Sequence, residues 1–308
     1  MPLGLAWEEL RSLCQLDGGA FRINTLKQAS RFCLRWARRH YENFLVASAL
    51  LPAGTRSHVA HLYAFARLAD DIADHPTASP HEKLTLLATL EDNFLRTLHS
   101  SSDSGNPVLT AFSHTIRTTG LPLTLLSRLL TAFRYDACFQ PFETWHHLKW
   151  YCQHSANPIG EALLFLHNAC HPLALCASNA LCTALQVLNF WQDLSLDLPL
   201  QRLYLPLELL RRHHILDASV LWRNSAKLQA CIEEVDDFVL QHLRHAEALC
   251  KYAHHPRLRW QALITLAAAY QLRKRLQEYG ERILQHRPKL GLSDGVAILL
   301  RSWRYRSS

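Results

Sequence analysis

The stretch from about residue 161 to 194 constrains the fold more than any other. It is unusually apolar, and its pattern predicts a central, fully buried helix. A helix that is apolar all round must be covered on every side, and the rest of the chain offers helices to cover it. Apolar residues recur at helical spacing over Trp7 to Leu16, 25–49 and from near Ser57 through the seventies. They recur again at Leu84, Leu87, Leu90, Phe94 and Leu98, then over 107–119, 122–138, 143–152, 205–213, 217–225, 226–253, 256–283 and 293–305. Breaks fall at Leu51-Pro52-Ala53-Gly54, at His75 to Pro80, at the polar loop Ser100 to Pro107, and at Asn157-Pro158-Ile159-Gly160. Glycine (10) and proline (13) are scarce, and no strand alternation, internal repeat or linker is visible. The expectation is one all-α domain.

Composition narrows the function classes. No run of eighteen or more apolar residues occurs, so no membrane-spanning helix is expected. Met1-Pro2-Leu3-Gly4 does not open a secretory signal. Nine cysteines lack any Cys-x-x-Cys pair, which predicts small buried thiols in a reducing cytoplasm. The net charge of +7 favours anionic partners, although the basic residues are spread along the chain and also suit a solvated surface. His146-His147, His213-His214 and His254-His255 are adjacent pairs that do not share a helix face, and they are expected at the surface or in loops.

The chemistry concentrates in two acidic stretches. Tyr63 to Asp74 carries Asp70, Asp71 and Asp74 on an otherwise buried pattern. Asp70 and Asp74 are four apart, one above the other on a helix, where like charges repel. Two carboxylates on one face suit a hard cation such as Mg²⁺, and a solvated acidic helix end fits equally well. The apolar stretch then ends with Gln186, Asn189, Asp193 and Asp197 on one face. A polar row on a buried helix is costly without a ligand. Two such pairs suggest facing walls of a metal-filled cleft that holds a diphosphate, with Arg67 and Arg202 completing the charge balance.

Together these stretches resemble the two aspartate-rich motifs of the squalene and phytoene synthase family. Tyr151-Cys152 with Asn157 to Gly160, Arg202-Leu203-Tyr204-Leu205-Pro206, and His40 to Phe44 resemble further elements of that family. The resemblance covers about residues 30–290 and is nearest to the hydroxysqualene synthase branch of bacterial hopanoid biosynthesis. Phytoene and dehydrosqualene synthases usually carry Arg where this chain has Gln192, and often Lys where it has Glu42. Both differences remove positive charge from the diphosphate site.

The resemblance implies an all-α isoprenoid synthase fold with a central cavity. It implies Mg²⁺, with Mn²⁺ as an alternative, on Asp70, Asp74, Asp193 and Asp197, and no nicotinamide cofactor. It implies catalytic roles for Tyr151, Arg67 and Asn189. Substrate contacts would come from His40, Tyr41, Phe44, Arg67, Gln186, Asn189, Arg202, Tyr204 and Tyr270. Asp71 would support the metal ligands. Ser155, Asn157 and Gln192 would position a water, or only complete loop and helix-end hydrogen bonds. The implied reaction is ionisation of presqualene diphosphate with water capture to give hydroxysqualene. The alternatives are condensation of two prenyl diphosphates and a non-catalytic family member. Residues 1–26 read as an N-terminal extension, 27–292 as the catalytic domain and 293–308 as a basic tail. The expected location is cytoplasmic, without nucleic acid. The Leu299, Leu300 and Trp303 stretch among Arg301, Arg304 and Arg306 suits either peripheral contact with an acidic membrane or a frayed tail.

Overall fold

The computed structural model describes residues 5–39, 51, 53–100, 104–215, 225–253 and 255–304. Its elements are helices, with no strand among the described residues. In chain order they are α1 (Trp7–Cys14), α2 (Leu26–Arg39), α3 (Ala53–Ala73), α4 (Pro80–His99), α5 (Pro107–Thr119) and α6 (Leu123–Ala137). There follow α7 (Trp145–His154), α8 (Asn157–Leu166), α9 (Pro172–Gln192), α10 (Leu194–Asp197), α11 (Leu207–Arg212), α12 (Ser225–Ala246), α13 (Leu249–Tyr252), α14 (Pro256–Tyr279) and α15 (Leu292–Arg304). The helix expected over 217–225 lies outside the described residues, as does the part of the 25–49 helix beyond Arg39. The chain forms two compact units, one of residues up to Phe139 with Phe165–His167, the other of Gln140–Leu164 and Asn168 onward.

In the first unit α3 is the hub, packed by α1, α2, α4, α5 and α6. Phe65, Leu68 and Ile72 recur at helical spacing and are fully buried. Phe65 meets Phe94 at 5.3 Å and Phe112 at 4.9 Å between ring centroids. That aromatic triad fixes the rotation of α3, and so decides which of its residues face away from the core. A buried polar cluster lies on the same helix. His61 bonds Thr115 Oγ1 through Nδ1 (2.8 Å) and Ser30 Oγ through Nε2 (3.0 Å).

The ends of α4 and α5 follow from local sequence. Ser79-Pro80-His81-Glu82 makes a capping box, in which Ser79 Oγ accepts from the Glu82 amide and the Glu82 carboxylate accepts from the Ser79 amide. Asn106 caps α5 by accepting from the Val108 and Leu109 amides, and its Nδ2 donates to Leu13 O (2.6 Å) and Gln15 O (2.7 Å). Of the two forms expected for the N-terminal piece, appended helix or loose tail, residues 7–14 form the helix, and this buried asparagine ties it down.

In the second unit α9 is the hub, packed by α7, α12, α13 and α14. The single buried helix expected over 161–194 is a pair, α8 and α9. The break comes at Asn168, which has φ +53°, and α9 restarts with His171 as N-cap and Pro172 in the first turn. Asn157 to Gly160, expected as an interruption, opens α8. Gly160 is required by close packing, since a Cβ there would lie 2.5 Å from Ser178 Oγ and 2.6 Å from Cys182 Sγ.

By length and composition α9 is sufficient to cross a membrane, contrary to the expectation from uninterrupted apolar runs. Half of its most apolar window is buried inside the protein, as in the core helix of a globular unit, so the expected full burial is also corrected. All nine cysteines are free thiols; Cys14, Cys33, Cys152, Cys231 and Cys250 are buried, whereas Cys138, Cys170 and Cys176 are exposed.

Candidate active site

The first acidic stretch lies at the C-terminal end of α3. The Asp74 amide donates to Asp70 O at 2.9 Å, so the two carboxylates are one helical turn apart. No basic residue occupies that last turn. Carboxylates there oppose the helix dipole as well as each other, an arrangement that stability alone does not favour. Arg67 Nη2 bonds Asp71 Oδ1 at 2.5 Å, and its Nη1 lies 3.4 Å from Asp70 Oδ2. Burial works against the Arg67 charge, but Asp70 and Asp71 outweigh it and raise its pKa above the ordinary value. Asp71 is buried, and its Oδ2 has no hydrogen-bond partner among the described residues.

The second stretch repeats this geometry at the end of α9. The Asp193 amide donates to Asn189 O (2.9 Å), the Asp197 amide to Asp193 O (2.9 Å) and the Arg202 amide to Asp197 O (3.0 Å). The helical ladder therefore continues through the junction of α9 and α10, and Asn189, Asp193 and Asp197 stay in register. Gln186 and Asn189 are half-buried and make no side-chain hydrogen bond among the described residues.

Sequence reasoning missed Arg287. Its Nε donates to Asp193 Oδ1, and its Nη2 lies 3.4 Å from Oδ2. The neighbouring Gln192 is buried and donates from Nε2 to Pro288 O at 2.6 Å. Two adjacent residues of the motif are thus tied to two adjacent residues near the C-terminus. No local pattern could have revealed a partner 94 positions away.

An aromatic cluster lies beside this ladder. Phe190 and Tyr204 stack with rings 4.2 Å apart and 5° from parallel. Tyr151 joins them, 6.0 Å from Phe190 and 5.2 Å from Phe142. Backbone bonds hold the segment after Arg202 in place, with the Leu207 amide on Phe142 O (2.8 Å) and the Glu208 amide on Glu143 O (3.0 Å). The expected residues Tyr151, Asn189, Asp193, Asp197, Arg202 and Tyr204 therefore come from one neighbourhood of the second unit. Tyr270 is engaged elsewhere. Its hydroxyl donates to Glu247 Oε1 at 2.7 Å, and Arg301 lies over its ring at 4.5 Å.

The three residues considered for holding a water each have a protein partner. Ser155 Oγ donates to Tyr151 O (3.0 Å), Thr183 Oγ1 donates to Asn157 Oδ1 (3.2 Å), and Gln192 is held by Pro288. The bonds of Ser155 and Gln192 lie at helix ends, and that of Asn157 joins the start of α8 to α9. His40, Tyr41 and Phe44 lie outside the described residues, as do Glu42 and His254. His213 Nε2 pairs with Glu234 Oε1 at 2.7 Å.

Among the described residues no group of three or more His, Cys, Asp or Glu side chains forms a closed metal site. The donor chemistry nevertheless fits Mg²⁺, which binds through one or two carboxylates and keeps the remaining positions for water and phosphate oxygens. The partnerless buried oxygen of Asp71, beside Asp70, is an acceptor suited to a metal-bound water.

With this geometry in place, the chain can be assigned by likeness. Residues 37–294 match the squalene/phytoene synthase family model, and the chain belongs to that family. It is 38% identical over 174 residues to a hydroxysqualene synthase of Sinorhizobium fredii, covering 55% of this chain and 56% of the relative. It is 37% identical over 172 residues to a hydroxysqualene synthase of Zymomonas mobilis, covering 55% and 56%. The chain thus spans little more than half the length of the curated relatives it matches. Among solved structures, squalene synthase HpnC from Alicyclobacillus acidocaldarius superposes with TM-score 0.75 at 30% identity, over 83% of this chain and 95% of that one. The fold is the all-α isoprenoid synthase fold expected from the sequence.

Proposed function

We propose that this chain ionises presqualene diphosphate with Mg²⁺ and captures the rearranged cation with water, releasing hydroxysqualene and diphosphate. The observation that carries this reading is the duplicated aspartate ladder. Asp70 with Asp74 and Asp193 with Asp197 each stand one turn apart at the end of an apolar helix, in a chain 38% identical to a hydroxysqualene synthase. Squalene/phytoene synthase relatives make the substrate a prenyl diphosphate; the charge at the second motif favours presqualene diphosphate within that class. Gln192 and Glu42 stand where phytoene-type synthases usually carry Arg and often Lys, so these two positions are less basic here, while Arg287 supplies a cation at Asp193.

In this proposal each aspartate pair, Asp70 with Asp74 and Asp193 with Asp197, would hold Mg²⁺, which when bound would supply Lewis-acid stabilisation of the leaving diphosphate. Asp71 fixes Arg67 so that its guanidinium meets the departing phosphate oxygens. Asn189 and Gln186 donate amide hydrogens to phosphate oxygens or bound water. The aromatic cluster of Tyr151, Phe190 and Tyr204 would stabilise a carbocation by cation–π attraction. Arg202, whose amide is bonded to Asp197 O, would add positive charge beside the second aspartate pair.

The alternative is the condensation of two prenyl diphosphates, supported by the likeness to a structure named squalene synthase. Incubation with Mg²⁺ and presqualene diphosphate in ¹⁸O-labelled water, without a nicotinamide cofactor, separates the readings. The proposal expects hydroxysqualene carrying the label. Product from farnesyl diphosphate alone, with presqualene diphosphate untouched, moves the assignment to condensation. No turnover of either, with aspartate variants still functional in cells, points to a non-catalytic member.

A further inference from the structure

The C-terminal helix α15 has two unlike faces. The inner face is fixed to α14 by Asp294, which is buried. Its carboxylate accepts from the Gly291 amide (2.7 Å), Gln271 Nε2 (2.7 Å) and Arg275 Nε (2.9 Å). Burial alone would raise the Asp294 pKa; the Gly291 amide, Arg275 and Gln271 overcome this and lower it. Ser302, also buried, donates to Leu299 O. The helix is thus a docked element and not a frayed tail.

The outer face is apolar and exposed. Val296 is 60% exposed, Leu299 53%, Leu300 65% and Trp303 66%. They follow one another at spacings of three, one and three, which places them on a single stripe. Scattered exposed apolar residues are ordinary, but a contiguous stripe of this kind marks a contact surface.

We infer that this stripe is a docking face for an anionic lipid bilayer, with α15 lying in the plane of the headgroups. The charge carried by this stretch of sequence selects the occupant. From Lys289 to the C-terminus the basic residues are Lys289, Arg301, Arg304 and Arg306, and the acidic side is Asp294 alone, already neutralised by Arg275. A second copy meeting this face across a two-fold axis would bring like charges together. Anionic headgroups complement them, while the leucines and the indole enter the acyl boundary. Interfacial tryptophan with flanking arginine is the arrangement that places one end in hydrocarbon and the other in water. Because Arg301 also lies over the ring of Tyr270, the docked helix contacts a residue expected to meet substrate. The inference does not depend on which reaction the site catalyses.

The test is flotation of the full chain with vesicles of phosphatidylcholine and phosphatidylglycerol at 3:1, and with phosphatidylcholine alone. The expected result is binding to the anionic vesicles, weakened by raising NaCl from 0.15 to 0.5 M, with a drop of about tenfold or more in L299S/L300S/W303S. Helicity by circular dichroism and turnover in detergent solution are expected to match the unchanged chain. If the triple variant does not fold, R304E is the second probe, and it is expected to lose several-fold in binding to anionic vesicles only. No binding by the unchanged chain, or equal binding by the triple variant, overturns the inference. So does a dimer in sedimentation that the triple variant converts to monomer, which assigns the stripe to a second copy.

Discussion

Arg287 covers Asp193. Its Nε donates to one carboxylate oxygen, and its Nη2 stands 3.4 Å from the other. The chain thus holds its own cation on a residue proposed to bind Mg²⁺. A partly buried ion pair of this kind is worth about 0.5–1 kcal/mol. Any cation arriving at Asp193 must compete with it. Removing the competitor through R287Q is expected to lower the Mg²⁺ concentration for half-maximal turnover by about two- to fivefold. The measurement is activity against Mg²⁺ concentration, and an unchanged or raised midpoint contradicts the competition.

The aspartate ladders can be tested one at a time. D70N and D193N each keep the side-chain shape and remove a charge. Turnover is expected to fall by about a hundredfold or more in each; the unfolding temperature is expected to be kept or raised in D70N, where like-charge repulsion is relieved, and lowered in D193N, which also loses the ion pair with Arg287, worth about 0.5–1 kcal/mol. Chelation by EDTA is expected to abolish activity and added Mg²⁺ to restore it.

Gly160 tests how α8 sits on α9. In G160A the new methyl group meets Ser178 Oγ and Cys182 Sγ below contact distance, so a destabilisation of about 1–3 kcal/mol is expected. Trimming one obstacle in G160A/C182A is expected to recover part of the loss, as read from urea unfolding midpoints.

His61 makes stability depend on pH. Burial, with smaller contributions from His58 and His114 and a weaker opposing bond to Ala111 O, pulls its pKa down from 6.5 to about 3. The unfolded chain therefore takes up a proton before the folded one does. The stability that neutral His61 confers is complete above pH 6.5 and is lost as the pH falls from there toward about 3. Between pH 7.5 and 5 the cost is about 2 kcal/mol from this residue alone. Unfolding at the two pH values reads the effect, and H61Q is expected to flatten it.

Much of this architecture was legible along the chain because helices are local. Pro107 to Thr119 is bounded by Asn106 and Gly120, both recognisable end signals, and the expected limits match. The spacing of Asp70 and Asp74 predicted their shared face for the same reason. The break between α8 and α9 was less legible, because apolar residues continue through it; the Asn168 turn and the His171-Pro172 start were the available signals. Contacts across long stretches of chain left no local trace. The assignments of Arg287 to Asp193, Glu247 to Tyr270, and Asn106 to the carbonyls of α1 come only from the fold.

The bond from Gln192 to Pro288 O has a consequence for how relatives of this chain can diverge. Position 192 is where phytoene-type synthases usually place arginine. Here its amide anchors the segment that presents Arg287. A lone Q192R change would exchange that anchor for a second cation beside the first. That change is therefore expected to weaken the packing of the segment around Pro288 unless residue 287 changes as well. Positions 192 and 287 should vary together, whereas position 288 contributes only its backbone carbonyl, and attempts to redesign residue 192 should begin with residue 287 as well.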